Sequence, residues 1–406
     1  MARTNIAVFA LPLLYFFWEG LKKYPRFRAK FLRPIFWVSL GLALAFGGGM
    51  WVTHYRLFPI SPPVREVYGA TKSRVVWISD SRATNGYSQP WSNKASQTVV
   101  NQMMSDGIKA LAGRGTVADS WTAIFQAHNG GRDYAPGEKI AIKVNFNNSS
   151  DCNNGGCPIP QAVISLIDQL VNAKGIAQEN IGLYDASRTF PGYFSPMILS
   201  IFPNVKLDPD EASGCTVSEN VLGARFGCWL ASATYLINMP LLRTHSMAGV
   251  TLSLKNHLGS TNQPSAFHNG LLGTTPESNS LVQLNQHTFI KNKTLLVIAD
   301  ALYGLNQGGP SGYPNLQPNS IFLSLDPVAI DSVMADYIES TSHNTNYTGN
   351  GRITLQAAAQ TGLGNFETSC NNGDCSFVYT AIDLIKCSQG CGSDHPPVPP
   401  TNLRMR

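Results

Sequence analysis

The sequence is poor in charge. Asp, Glu, Lys and Arg make up 14% of its 406 residues, and its body carries no basic stripe. Nucleic acid is therefore not an expected partner. No Cys-x-x-Cys occurs, which argues against an iron–sulfur or zinc site. The phosphate loop, the Gly-x-Ser-x-Gly elbow and the His-Glu-x-x-His pair are all missing. The nucleotide-hydrolase, α/β-hydrolase and zinc-peptidase signatures go with them. There is no internal repeat and no Arg-Arg pair, and no cysteine precedes residue 152.

The charge that is present is unevenly placed. Residues 1–56 hold eight of the 30 basic residues and one of the 25 acidic ones, so the rest of the chain is near neutral despite the net +5. The basic excess flanks an apolar run. Residues 35–52 are eighteen positions without a charge, about one bilayer at ~1.5 Å per residue. Six basic residues lie between 22 and 33, and such a flank stays in the cytoplasm. The chain after residue 52 is then expected outside, in the periplasm or at the cell surface. A second apolar run, 6–18, is short for a span and fits a short first helix or an interfacial one. A cleaved signal peptide competes with this reading, but its basic leader would be unusually long. The expected plan is a membrane anchor of one or two hydrophobic helices over 1–56 and a linker over 57–73. A folded domain covers 74–394, and a proline-rich tail 395–406.

An even set of eight cysteines, placed outside the membrane, reads as disulfides. Local pairing is expected: Cys152–Cys157, Cys215–Cys228, Cys370–Cys375 and Cys387–Cys391. The last closes a small ring, and Cys370–Cys387 is its alternative.

Apolar runs at 74–79, 138–144, 181–184, 234–239, 294–299 and 320–325 read as strands. Helical spacing covers 95–112, 119–127, 160–173, about 327–339 and 351–365. Strand and helix alternate, so the expected fold is α/β: a mixed, largely parallel sheet with flanking helices, behind the N-terminal anchor. In such sheets ligands gather beyond the carboxyl ends of the strands. Lys143 and Asn145, Asp185 and Arg188, and Asp300 follow three of those ends.

The stretch 243–259 gathers Arg243, His245, Lys255, Asn256 and His257 around an apolar run. Donors beside a buried segment need partners, and an anion, carboxylates or a metal would supply them. His245, Lys255 and Asp300 are the catalytic candidates, His245 because imidazole titrates near neutrality. Lys143, Asn145, Asp185, Arg188, Asn256 and His268 are the ligand-binding candidates, with His268 closing over the site from the polar loop 259–286. Each has a plainer reading: a solvated strand-end lysine, a hydrogen-bonded core histidine. His257 is expected to face away from Asn256. Asp326 reads as a helix cap ahead of Pro327. Asp331, about 140° round the same helix, reads as structural.

Five passages carry a resemblance: Ile-Lys-Val-Asn at 142–145, Leu-Tyr-Asp-Ala-Ser at 183–187, Gly-Val-Thr-Leu-Ser-Leu-Lys-Asn at 249–256, Ala-Asp-Ala-Leu-Tyr-Gly at 299–304, and Ser-Leu-Asp-Pro-Val-Ala-Ile-Asp at 324–331. Together with Asn-Met-Pro at 238–240, they resemble domain-of-unknown-function family 362 over about residues 75–365. The resemblance implies an α/β unit related in fold to nickel-dependent lactate racemases, which transfers no chemistry. Many members carry a ferredoxin module, and this chain has none. The family often has Lys where this chain has Arg243.

The expected function is an extracytoplasmic, membrane-anchored protein with a site for an anionic small molecule, with Asp300 and Asp326 orienting the bases or holding a divalent ion. The alternative is a non-catalytic accessory or structural subunit of a membrane complex. The topology is testable directly. A reporter active only in the cytoplasm, fused after residue 406, is expected to be silent, and activity would reverse the orientation.

Overall fold

Short apolar runs, buried on both faces, form the centre of one sheet. The computed structural model describes residues 72–86, 94–147, 157–207, 214–310, 312–342 and 345–391, all in the unit Glu66–Arg406. The expected anchor and tail lie outside them. Among the described residues no helix is long and apolar enough to cross a membrane.

The strands are β1 (Ser73–Ser79), β2 (Ile140–Lys143), β3 (Ile181–Tyr184), β4 (Lys206–Leu207), β5 (Thr216–Val221), β6 (Ala224–Gly227), β7 (Tyr235–Asn238), β8 (Leu241–His245), β9 (Gly249–Thr251), β10 (Thr294–Leu305), β11 (Ser320–Ser324), β12 (Cys370–Asn371), β13 (Asp374–Cys375) and β14 (Ile382–Ser388). The main sheet runs β14-β1-β11-β10-β7-β2-β3-β4. From β10 to β4 every neighbour is parallel. β11 runs against both β10 and β1. The expected mixed, largely parallel sheet with flanking helices is therefore what forms.

Side chains alternate across it, as the period of two requires. Ile140, Ile142, Ile237 and Ile298 face one core. There they meet α1 (Gln97–Ala112), α2 (Val117–His128) and α3 (Pro160–Asp168), which continues as a wider turn over Gln169–Ala173. A short α4 (Phe194–Leu199) closes that side. Ala141, Tyr184 and Leu236 face the other core. This side is covered by α5 (Cys228–Ser232), α6 (Ser253–Asn256), α7 (Ser280–Gln286), α8 (Thr288–Lys291), α9 (Pro327–Ser342) and α10 (Thr345–Gln360). Gly182 sits beneath the Trp229 indole. A Cβ there would lie 2.2 Å from the ring, so only glycine lets α5 approach β3.

Two elements differ from expectation. β10 does not end at Ala299 but continues to Leu305, so Asp300 lies inside a strand. The reason is β8. Pro240 ends β7 without turning the chain, and β8 resumes along the same edge of β10, pairing Leu241 with Asp300 and Arg243 with Leu305. The Pro240 carbonyl bridges the gap by accepting from Asp300 N at 3.0 Å. β9 then folds back on β8 as a hairpin. The cap at Asp326 is as expected, its Oδ1 accepting from Val328 N and Ala329 N.

Cys215–Cys228, Cys370–Cys375 and Cys387–Cys391 are joined, as local pairing requires. Cys157 is also disulfide-bonded, and its expected partner Cys152 lies outside the described residues. Peptide mapping without reduction is expected to recover these local pairs. Recovery of Cys370 with Cys387 would overturn the arrangement around β14.

Candidate functional site

The parallel register brings three strand ends level beside the middle of β10: Lys143 pairs with Tyr184 and Asn238, and Asn238 with Val297. Lys143 is 1% exposed. Its Nζ donates to Asp185 Oδ2 at 3.2 Å, to Asn256 Oδ1 at 3.4 Å and to the Val144 carbonyl. Asp185 also accepts from Phe146 N at 3.2 Å and from Ser187 N and Oγ at 3.2 and 3.0 Å. Gly259 lies against the pair, and a Cβ there would sit 2.7 Å from both Lys143 Nζ and Asp185 Oδ1.

The network continues in one direction. An ammonium only donates, so Asn256 must turn its oxygen to Lys143 and its Nδ2 to Asn238 Oδ1, 2.6 Å away. Asn238 Nδ2 then donates to Ser253 O at 2.9 Å and to His257 Nε2 at 3.0 Å. The proton of His257 is left on Nδ1, facing Ser260 Oγ at 3.1 Å, and Ser260 shares a hydrogen bond with Tyr184 OH at 2.9 Å. Burial pushes His257 down to about 3, with Lys143 adding to the shift, so the ring stays neutral as the relay needs. Burial also lowers Lys143, against the opposing pull of Asp185. His257 does not face away from Asn256: both bond the same asparagine.

A second cluster adjoins the first through α6, where Lys255 and Asn256 are consecutive. Asp331 holds that helix, accepting from Ser253 N at 2.8 Å and Leu254 N at 3.0 Å; burial raises its carboxyl to about 7. Lys255 is 7% exposed. Burial, then Arg243, lowers it to about 8. Its ammonium has no hydrogen-bond or carboxylate partner among the described residues. Arg243, lowered by burial to about 10, donates to Gly312 O at 3.4 Å. His245 Nδ1 accepts from Met247 N at 3.1 Å and Ala248 N at 3.2 Å. Two amides aimed at Nδ1 put the ring proton on Nε2. Burial, then Lys255, His268 and Arg243, lowers His245 to about 3. Neutral, and with its lone pair taken by the backbone, His245 is a hydrogen-bond donor at neutral pH.

The remaining candidates separate. Asp300 does not touch His245; it accepts from Ile159 N at 2.7 Å and Leu302 N at 3.1 Å, and burial raises it to about 6. It lines a cavity of about 20 Å³ together with Arg243, Tyr303 and Cys157, room for about one water. Asp326 cannot join Asp300, because antiparallel β11 delivers it to the opposite rim. There it takes Ser73 Oγ and Asn365 N. No divalent site forms between the two. Asn145 accepts from Asn147 N at 3.1 Å, closing a turn. Arg188 is exposed and donates to Ser187 O at 2.7 Å. His268 is exposed, near enough to His245 to lower it. Among the described residues, Glu339, Cys370 and Cys375 are the group close enough to hold a metal. The sulfurs are joined, and Glu339 already takes Arg352 Nη1 at 2.6 Å and Gly373 N at 3.0 Å.

Asn238, Ser260 and Tyr184 were not singled out from the sequence. Asn238, a polar residue closing an apolar strand, was the available signal. Sheet and rim define a mixed α/β protein with a polar network at the carboxyl ends of its parallel strands. Residues 140–336 match the family model described as Domain of unknown function (DUF362), and this segment is similar to that family. No curated protein matches it.

Lys143→Met leaves Asp185 buried without its cation. Urea denaturation is expected to show a loss of about 3–5 kcal/mol. A loss under about 1 kcal/mol, the range of exposed pairs, would show that Lys143 and Asp185 do not form a buried pair.

Proposed function

We propose that this chain binds an anionic ligand at Arg243, His245 and Lys255, in a domain carried on the outer side of a membrane by residues 35–52. One observation carries the binding site: Lys255 is nine-tenths buried and has no acidic partner among the described residues. A buried ammonium is costly unless paired, and an anion is the partner that the cluster lacks. The Nε2–H of His245 points the same way, as a donor with no protein acceptor among the described residues. His268 stands at the exposed side of the cluster. Lys143, Asp185 and Asn256 serve as its scaffold. The membrane placement is supported by the basic flank at 22–33 and by the disulfides, which persist in oxidising compartments. A second reading, a non-catalytic subunit of a membrane complex, is favoured by the closure of the Lys143 network.

Lys255→Met tests the first reading. Phosphate and acetate are titrated at fixed ionic strength while the melting temperature is followed. A specific anion raises it by linkage, stabilising the folded chain by about 2.7 kcal/mol at a hundredfold excess over Kd, and Lys255→Met is expected to lose that rise while its ligand-free form melts no lower than the parent. A rise that survives the substitution is general salt exclusion and sinks the proposal.

The pH dependence has a definite sign. Lys255 is held below its ordinary 10.5, at about 8. The ammonium that binds the anion is present below about 8, so affinity is expected to fall as pH rises through that value. In the ligand-free chain the same group gains stability between about 8 and its ordinary value, because the folded state has shed a proton that the unfolded state keeps. Affinity that is flat from pH 7 to 9 would remove Lys255 from the site.

A further inference from the structure

We propose that Thr251 is a ligand-binding residue and that the anion is a tetrahedral oxyanion, a phosphoryl group. This rests on the reading of the Lys255 cluster as an anion site. The β8–β9 hairpin sets Arg243 directly across from Thr251 and His245 across from Gly249. Residues paired in this way share a face of the ribbon. Thr244 and Val250 form the pair between them and point to the opposite face. There Val250 packs in the core with Leu242 and Leu252.

Thr251 is 3% exposed, and its Oγ1 has no hydrogen-bond partner among the described residues. Leaving a buried hydroxyl unpaired is unfavourable. Arg243, its partner across the ribbon, lies close enough to Lys255 and His245 to shift both, and these two supply the other donors without a protein acceptor among the described residues, the Lys255 ammonium and the His245 Nε2–H. Three unmatched donors thus come from β8, β9 and α6. A carboxylate presents two oxygens in one plane, while a phosphoryl group presents three terminal oxygens, one for each donor. Arg243 adds positive field to the same face, which favours the more highly charged anion.

Thr244 supplies an internal control. It is also buried, with an Oγ1 unpaired among the described residues, but it faces the core. Thr→Val keeps the shape and removes the hydroxyl. Both Thr251→Val and Thr244→Val are expected to raise the melting temperature of the ligand-free full-length chain, since each deletes an unpaired buried polar group.

Binding of inorganic phosphate and of acetate to the full-length chain is measured by calorimetry at pH 7. Phosphate is expected to bind more tightly than acetate. Thr251→Val is expected to weaken phosphate about tenfold, the effect of one hydrogen bond to a charged group. Thr251→Ser should retain the affinity, and Thr244→Val should leave it unchanged. If Lys255→Met abolishes phosphate binding while Thr251→Val leaves it within about twofold, Thr251 is not a ligand and the anion site stands. If acetate binds the parent as tightly as phosphate, the phosphoryl assignment fails. If neither anion binds the parent, the reading of the cluster itself fails.

Discussion

A buried ammonium that can only donate sets the arrangement of the strand-end rim. Lys143 has its charge met by Asp185 and its remaining donors met by Asn256 and the Val144 carbonyl. Because it accepts nothing, the orientation of Asn256 is fixed, then that of Asn238, then the tautomer of His257. Four secondary-structure elements are tied by one chain of hydrogen bonds whose direction cannot reverse. Partly satisfied, such a network would cost more than an apolar core; fully satisfied, it specifies one packing. Gly259 is part of the same constraint, since any side chain there would wedge between Lys143 and Asp185.

The sheet was largely legible in the sequence because its strands are unbroken apolar runs. Ile-Ala-Ile at 140–142 and Leu-Leu-Val-Ile-Ala at 295–299 can only be buried. Register followed from the parallel order, so Lys143 and Asp185 were placed correctly on one rim. Asp326 was misplaced because strand direction is not written locally. Ser-Ile-Phe-Leu-Ser at 320–324 reads the same whether it runs up or down the sheet. β8 and β9 were hidden by Pro240, which normally stops a strand but here leaves the chain running along the edge of β10. Their exchange of partners with β10 depends on contacts sixty residues apart in sequence, which no periodicity reports.

What the sequence grouped as one site the fold divides into two. Asn256 turns toward Lys143 and Asn238, while Lys255, one residue earlier, lies with Arg243 and His245. A helical step of about 100° is enough to send neighbours to different surroundings. Asp331 fixes the helix that carries both by accepting from its first two amides. One cluster consumes its charges internally; in the other, Lys255 meets no carboxylate among the described residues. The first is the means by which the second is held. Without α6 anchored through Asn256 and Asp331, nothing would keep Lys255 buried against its own desolvation.

The protonation states decide what such a cluster can do. His245 looked suited to proton transfer because of its residue type, yet two backbone amides occupy its lone pair and its neighbours are cationic. Protonating it would cost both hydrogen bonds and add a positive charge where three groups already oppose it. Asp300 titrates near neutrality, but both its oxygens accept from backbone amides and it belongs to the neighbouring cavity. Lys255 differs from both. It is displaced to about 8, and neither a carboxylate nor a backbone group holds it among the described residues. An arriving anion would stabilise the ammonium and draw this pKa back up. Binding of an anion there would therefore be coupled to proton uptake at Lys255, which would make this lysine, in place of the histidine, the titrating group of the proposed site.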